Sequence, residues 1–145
     1  MSRCISEEFA SVLSLPQQLQ QESTKVFASH FAKIQEAARE FSKFFSSSCY
    51  LSAIGADSLA EIEAIELEAT VLLTRFNDRI SSFKADFDKL ERDAMVQLYV
   101  ASGLSQTRAI KRTDKELAYL ANHYAMFIKT YADMEQVVED ALPRY

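Results

Sequence analysis

Two imidazoles and two thiols, His30, His123, Cys4 and Cys49, are where chemistry would first be sought in this chain. A di-iron helical bundle places a glutamate three residues before each ligating histidine. Here Phe27 and Leu120 stand at those positions. The cysteines lack the paired spacing of a metal knuckle and read as reduced thiols of a cytosolic-type compartment. A transition-metal site built from height alone is the other geometric option. If His30 lies about fourteen residues into one helix and His123 ten into a parallel one, their levels differ by about 6 Å. An intervening antiparallel helix would pass that level near Asp88 and Glu91, and two imidazoles with a carboxylate suit zinc or a similar ion. Both histidines sit beside an apolar seam rather than on it, so nothing forces them to converge. The expectation is no metal and no cofactor.

The run His30-Phe31-Ala32-Lys33 resembles the His-x-x-Lys of histidine phosphotransfer bundles. Those proteins follow the lysine with a small residue, typically glycine, that opens the ring to a phosphoryl donor. Ile34 stands there in this chain, on the apolar seam. The plainer reading is a boundary histidine next to a core stripe. A glycine-rich phosphate loop is also absent from the sequence, and nothing supports a nucleophilic triad.

Whatever these residues do, long helices must position them. Average usage would supply roughly 12% glycine plus proline, yet only two of each occur in 145 residues. Hairpins and tight catalytic turns are therefore hard to build. Helix starts are written at Ser14-Leu15-Pro16-Gln17, Ser58-Leu59-Ala60-Glu61 and Thr113-Asp114-Lys115-Glu116, the last two being complete capping boxes. Stops are read at Ser46-Ser47-Ser48 with Gly55, at Gly103 and at Pro143. These signals predict long helices over about 15–47, 58–102 and 113–142, with a short additional helix over about 6–13.

The apolar pattern follows the same boundaries. Phe27, Phe31, Ile34, Ala38, Phe41 and Phe45 alternate steps of four and three. So do Ala69, Leu73, Phe76, Ile80, Phe83, Phe87, Leu90 and Ala94, and then Leu117, Leu120, Tyr124, Phe127, Tyr131, Met134, Val138 and Ala141. That spacing packs helices along one seam at a shallow angle. Phenylalanine at so many seam positions needs a core wider than a two-stranded coil, and short connections make sequential helices antiparallel. The fold class is all-α: an elongated antiparallel three-helix bundle with a short N-terminal helix, forming a single domain over 1–145.

Charge excludes some functions and marks two surfaces. A net charge of −5 argues against general nucleic-acid binding. No run of 18 uncharged apolar residues spans a membrane, and the first residues lack a signal-peptide core, so a cytoplasmic location is expected. Glu61, Glu63, Glu66 and Glu68 fall in a stretch free of lysine and arginine between Lys43 and Arg75. Antiparallel packing brings Glu135, Glu139 and Asp140 to the same end, making an acidic pole. At the other end Arg108, Lys111, Arg112 and Lys115 form a basic loop suited to an anionic partner or lipid headgroup.

The first part of the second helix carries an apolar stripe in excess of what one core needs. Ile62, Ile65, Ala69, Leu72 and Leu73 define its core face, while Ala60, Ala64, Leu67 and Val71 run up nearly the opposite face. A partner chain or a homo-oligomer is the expected cover, with the N-terminal helix as the alternative. The functional expectation is a non-enzymatic protein–protein interaction module working as adaptor, assembly subunit or inhibitor. A peripheral binder of anionic surfaces is second, and a phosphotransfer or metal-binding bundle third.

Overall fold

The computed structural model of the chain describes residues 25–54 and 59–141. Among them the regular elements are four α-helices: α1 (Val26–Ile54), α2 (Leu59–Asp88), α3 (Arg92–Ala101) and α4 (Gln106–Ala141). The protein is an all-α bundle in which α1, α2 and α4 share the main core and the ten-residue α3 packs on the start of α4. At 1.5 Å per residue α4 is about 54 Å long and α2 about 45 Å.

The alternating seam explains the packing. All six apolar positions read on α1, from Phe27 to Phe45, are buried. They meet Ala69, Leu72, Phe76, Ile80 and Phe83 of α2 and Leu120, Phe127 and Met134 of α4 in one cluster. Full burial of a side chain of this size is worth about 1.5–3 kcal/mol, so these rings dominate the stability. Phe83 is the hub. Its ring centroid lies 5.2 Å from Phe27, 5.7 Å from Phe31 and 5.6 Å from Phe127, which places three helices in contact at one level.

The same contacts fix direction. Phe27 at the start of α1 meets Phe83 near the end of α2, and further along α1 Glu40 pairs with Arg75, earlier on α2. The two helices therefore run antiparallel. Phe127 of α4 also meets Phe83, while Met134 and Val138, beyond it on α4, remain in this core. Only the earlier turns of α2 extend in that direction, because α2 ends at Asp88. So α4 runs antiparallel to α2 as well.

Helix boundaries differ from the sequence expectation in three places. The serine triplet does not stop α1, which continues to Ile54; serine costs a helix only a few tenths of a kcal/mol, far less than glycine or proline. The expected helix over 58–102 is broken at 89–91. There Lys89 N–H bonds to the Asp86 carbonyl and Leu90 N–H to that of Phe87, a tightened last turn. Glu91 is then extended, with φ −110° and ψ 119°. An unbroken seam would turn Ala94 inward; Ala94 is instead exposed, and Met95, Val96 and Tyr99 are buried. Three large apolar groups buried in place of one methyl outweigh the helical hydrogen bonds given up at the break.

The third difference is the start of α4. Gly103, with φ +109°, ends α3: Leu104 N–H reaches back to the Tyr99 carbonyl and Gly103 N–H to that of Val100. This is the Schellman arrangement, and the positive φ is the reason for glycine. Ser105 then caps α4, its hydroxyl accepting from Arg108 N–H at 3.3 Å. The chain thus re-enters a helix at Gln106, and Thr113, read as a cap, lies two turns inside it and fully buried. A capping box marks a start only where the preceding residues resist helix, and Gln106-Thr107-Arg108-Ala109-Ile110-Lys111-Arg112 contains no glycine or proline to do so. The expected helix over 6–13 and the 15–24 portion of the first long helix lie outside the described residues.

Candidate interaction surfaces

Both histidines make hydrogen bonds within the bundle. Nε2–H of His30 donates to Asp86 Oδ2 at 2.6 Å, joining α1 to α2 beside Phe27 and Phe83. The His30 side chain is 12% exposed. That hydrogen bond, helped by Lys89, holds the Asp86 carboxyl below the usual carboxylate range. His123 Nδ1–H donates to the Tyr119 carbonyl of its own helix at 2.8 Å. The acids expected at the histidine level are turned elsewhere: Asp88 pairs with Lys84 at 2.6 Å, and Glu91 is exposed at the helix break. Among the described residues no group of three His, Cys, Asp or Glu side chains converges. Ile34, which follows the His-x-x-Lys run, is fully buried.

The apolar stripe of α2 lies in the open. Ala60, Ala64, Leu67 and Val71 are all exposed, Leu67 at 68% and Val71 at 42%, while Ile62, Ala69 and Leu72 of the same helix are buried. Glu61, Glu63, Glu66 and Glu68 are exposed on the same turns, Glu63 and Glu68 flanking the stripe. Glu135, Glu139 and Asp140 are exposed on the last turns of α4, with Gln136 donating to Asp140 at 2.8 Å. Because α4 runs antiparallel to α2, both acidic groups lie toward the same end. Their helix environments differ: Glu61 suits the positive start of α2, whereas acids at the end of α4 oppose its dipole.

The basic group is not a loop. Arg108, Lys111, Arg112 and Lys115 are exposed residues of the first turns of α4. At 3.6 residues per turn they fall within a sector about 100° wide, so they form one basic helical stripe, and the helix dipole adds to its potential. Arg112 carries its guanidinium 5.6 Å above the Tyr99 ring, so the stripe borders α3.

Sequence reading missed the junction behind that stripe. Arg92 of α3 donates from Nε and Nη2 to the two oxygens of Asp114, at 2.6 and 3.1 Å. The Tyr99 hydroxyl donates to Glu116. Burial first, then this bond, raises the Tyr99 phenol far above its usual range. The second oxygen of Glu116 and the hydroxyl of Thr113 are buried without a hydrogen-bond partner. These partners became neighbours only through the break at 89–91, for which no glycine or proline gives a signal. No helix among the described residues is long and apolar enough to cross a membrane. No family model, curated protein or solved structure matches the chain, so these surfaces alone carry the functional argument.

Proposed function

We propose that this chain is a non-enzymatic helical interaction module that receives another helix on the outer face of α2. The observation that carries this reading is the exposure of Leu67 and Val71 on the face opposite the buried Ile62, Ala69 and Leu72. Each exposed side chain would contribute about 1.5–3 kcal/mol if fully covered. Ala60 and Ala64 in the same line allow a second helix axis to approach to about 8 Å, the close end of helix packing. The acidic flanks favour an occupant with basic residues beside its apolar contacts.

A photo-crosslinking amino acid at Leu67, introduced in cells that produce the protein, tests this directly. A discrete crosslinked chain is expected from Leu67 and not from the exposed Ala125 of α4, and Val71→Asp should abolish it while leaving helicity unchanged. Equal labelling from both positions would overturn the reading. A second reading, a peripheral binder of anionic surfaces, is favoured by the basic stripe of α4. It requires salt-dependent binding to vesicles containing anionic lipid that is lost on Lys111→Glu with Arg112→Glu.

A further inference from the structure

We infer that copies of this chain associate head to tail, the basic stripe at the start of α4 in one copy seating on the acidic, apolar outer face of α2 in the next. The inference rests on the reading of α2 as a docking face and names its occupant. Three observations lead to it. First, the α2 face is one-signed: by helical geometry Glu63 and Glu68 flank Leu67 and Val71 on either side, Glu61 and Glu66 lie farther round the same turns, and no basic residue occurs on α2 before Arg75. Glu63, Glu66 and Glu68 make no ion pair among the described residues. Second, the complementary surface exists on the same molecule. Arg108, Lys111 and Lys115 make no ion pair among the described residues either, and Asp114, the acid among them, is taken by Arg92. Leu98 on the adjoining α3 is 53% exposed as well. Third, the two surfaces cannot satisfy each other within one chain, because α4 begins near the end of α2 that lies farthest from Glu61.

Symmetry decides between the two ways of pairing copies. A two-fold contact through α2 alone would set the glutamates of one copy against those of the other. Like charges facing one another across an interface are unfavourable. A heterologous contact sets glutamates against lysines and arginines instead. Such a contact leaves one acidic and one basic face unused at the ends, so it continues into a ring or filament rather than stopping at two. The α2 stripe from Ala60 to Val71 is about three helical turns long, roughly 16 Å, and the basic stripe from Arg108 to Lys115 about two, roughly 11 Å, which makes a small contact and a weak, salt-sensitive one.

Sedimentation of the full chain, across a concentration series at about 20 mM and about 500 mM salt, reads this out. At low salt the average mass should rise progressively past two chains, and at high salt it should return toward one. Two neutralised variants isolate the faces: Glu63→Gln with Glu66→Gln and Glu68→Gln, and Arg108→Gln with Lys111→Gln and Lys115→Gln. Glutamine sustains a helix about as well as the residues it replaces, and circular dichroism checks that it does. Each variant alone should associate at least about tenfold more weakly than the original chain. Mixed in equal amounts, they should form a two-chain species that does not grow, since one intact acidic face meets one intact basic stripe. A chain that is monomeric throughout at low salt, or a dimer indifferent to the basic-stripe variant, would overturn the inference. So would basic-stripe binding to anionic vesicles by an otherwise monomeric chain. A monomer that nevertheless crosslinks a different protein from Leu67 would leave the docking face standing and remove only its occupant.

Discussion

The main bundle and the α3–α4 junction are held by different physics. In the bundle, α1, α2 and α4 close around phenylalanines that touch ring to ring, and the polar links crossing it, His30 with Asp86 and Arg75 with Glu40, are part-buried at its edge. At the junction the buried apolar set shrinks to Val96, Tyr99 and Ala109, and polar links do much of the joining: Arg92 with Asp114, Tyr99 with Glu116, Arg112 over Tyr99. Rings buried by area are non-directional and tolerate small shifts. A part-buried hydrogen bond such as that of Tyr99 to Glu116 is directional and costly when half made, whereas the Arg92–Asp114 pair is exposed and screened by solvent. The junction also keeps two buried polar atoms without partners, Thr113 Oγ1 and Glu116 Oε2. It follows that the bundle sets global stability, while the junction is a smaller unit that opens on its own at lower cost.

The largest effect should come from the hub. Phe83→Ala removes the ring that touches α1 and α4 at once, and a buried phenylalanine truncated to alanine costs about 3–5 kcal/mol. Urea unfolding should show that loss in one transition, and hydrogen exchange should accelerate in α1, α2 and α4 together. A variant that destabilised only one helix would mean that the three do not form a single cooperative core.

How much of this could be read in advance follows the same division. The bundle was legible because its information is periodic: steps of four and three from Phe27 to Phe45 and from Ala69 to Phe87 place all the fully buried rings of α1 and α2 without knowledge of their partners, though not the partly buried Phe44. The outward stripe at Ala60, Ala64, Leu67 and Val71 was legible for the same reason, as a second line on a helix whose core face was already assigned. The junction was opaque. Its break at 89–91 contains neither glycine nor proline, and the extended Glu91 is held open by the burial of Met95, Val96 and Tyr99, a tertiary cause. Once that break was missed, Thr113 passed for a helix start and the Arg92–Asp114 and Tyr99–Glu116 pairs had no geometry from which to be found. Asp86 shows the finer limit. Helix height brought an acid of α2 to the level of His30, but two residues of register separate Asp86 from Asp88, and they decide which carboxylate meets the ring.

Mutations at the junction should act locally and with opposite signs. Tyr99→Phe leaves the ring and removes the hydroxyl that serves Glu116, so a half-buried carboxylate loses its donor at a cost of about 1 kcal/mol. Thr113→Val deletes a buried hydroxyl that has no partner and keeps the volume, so it should stabilise by about 1 kcal/mol. Amide exchange in α3 and in the first turns of α4 is the measurement: faster in Tyr99→Phe, slower in Thr113→Val, with α1 unchanged in both. If Thr113→Val also accelerates exchange, the hydroxyl is hydrogen-bonded in solution and the junction is better satisfied than its contacts show.

Acid should separate the two regions most gently. His30 lowers the Asp86 carboxyl and Arg92 lowers that of Asp114, in each case chiefly by a hydrogen bond to the ionised oxygen. A carboxyl depressed in the folded state adds stability that is present above its unfolded value, about 3.9, and disappears as pH falls through the lower folded value. Both clamps therefore hold at neutral pH and weaken only below about pH 4. Their readouts differ, because Asp86 joins α1 to α2 and Asp114 joins α3 to α4. Asp86→Asn should flatten the acid dependence of global unfolding. Asp114→Asn should flatten only that of α3 amide exchange, with global unfolding following the original curve. If Asp114→Asn flattened the global curve equally, α3 would unfold with the bundle, and the junction would not be a separate unit.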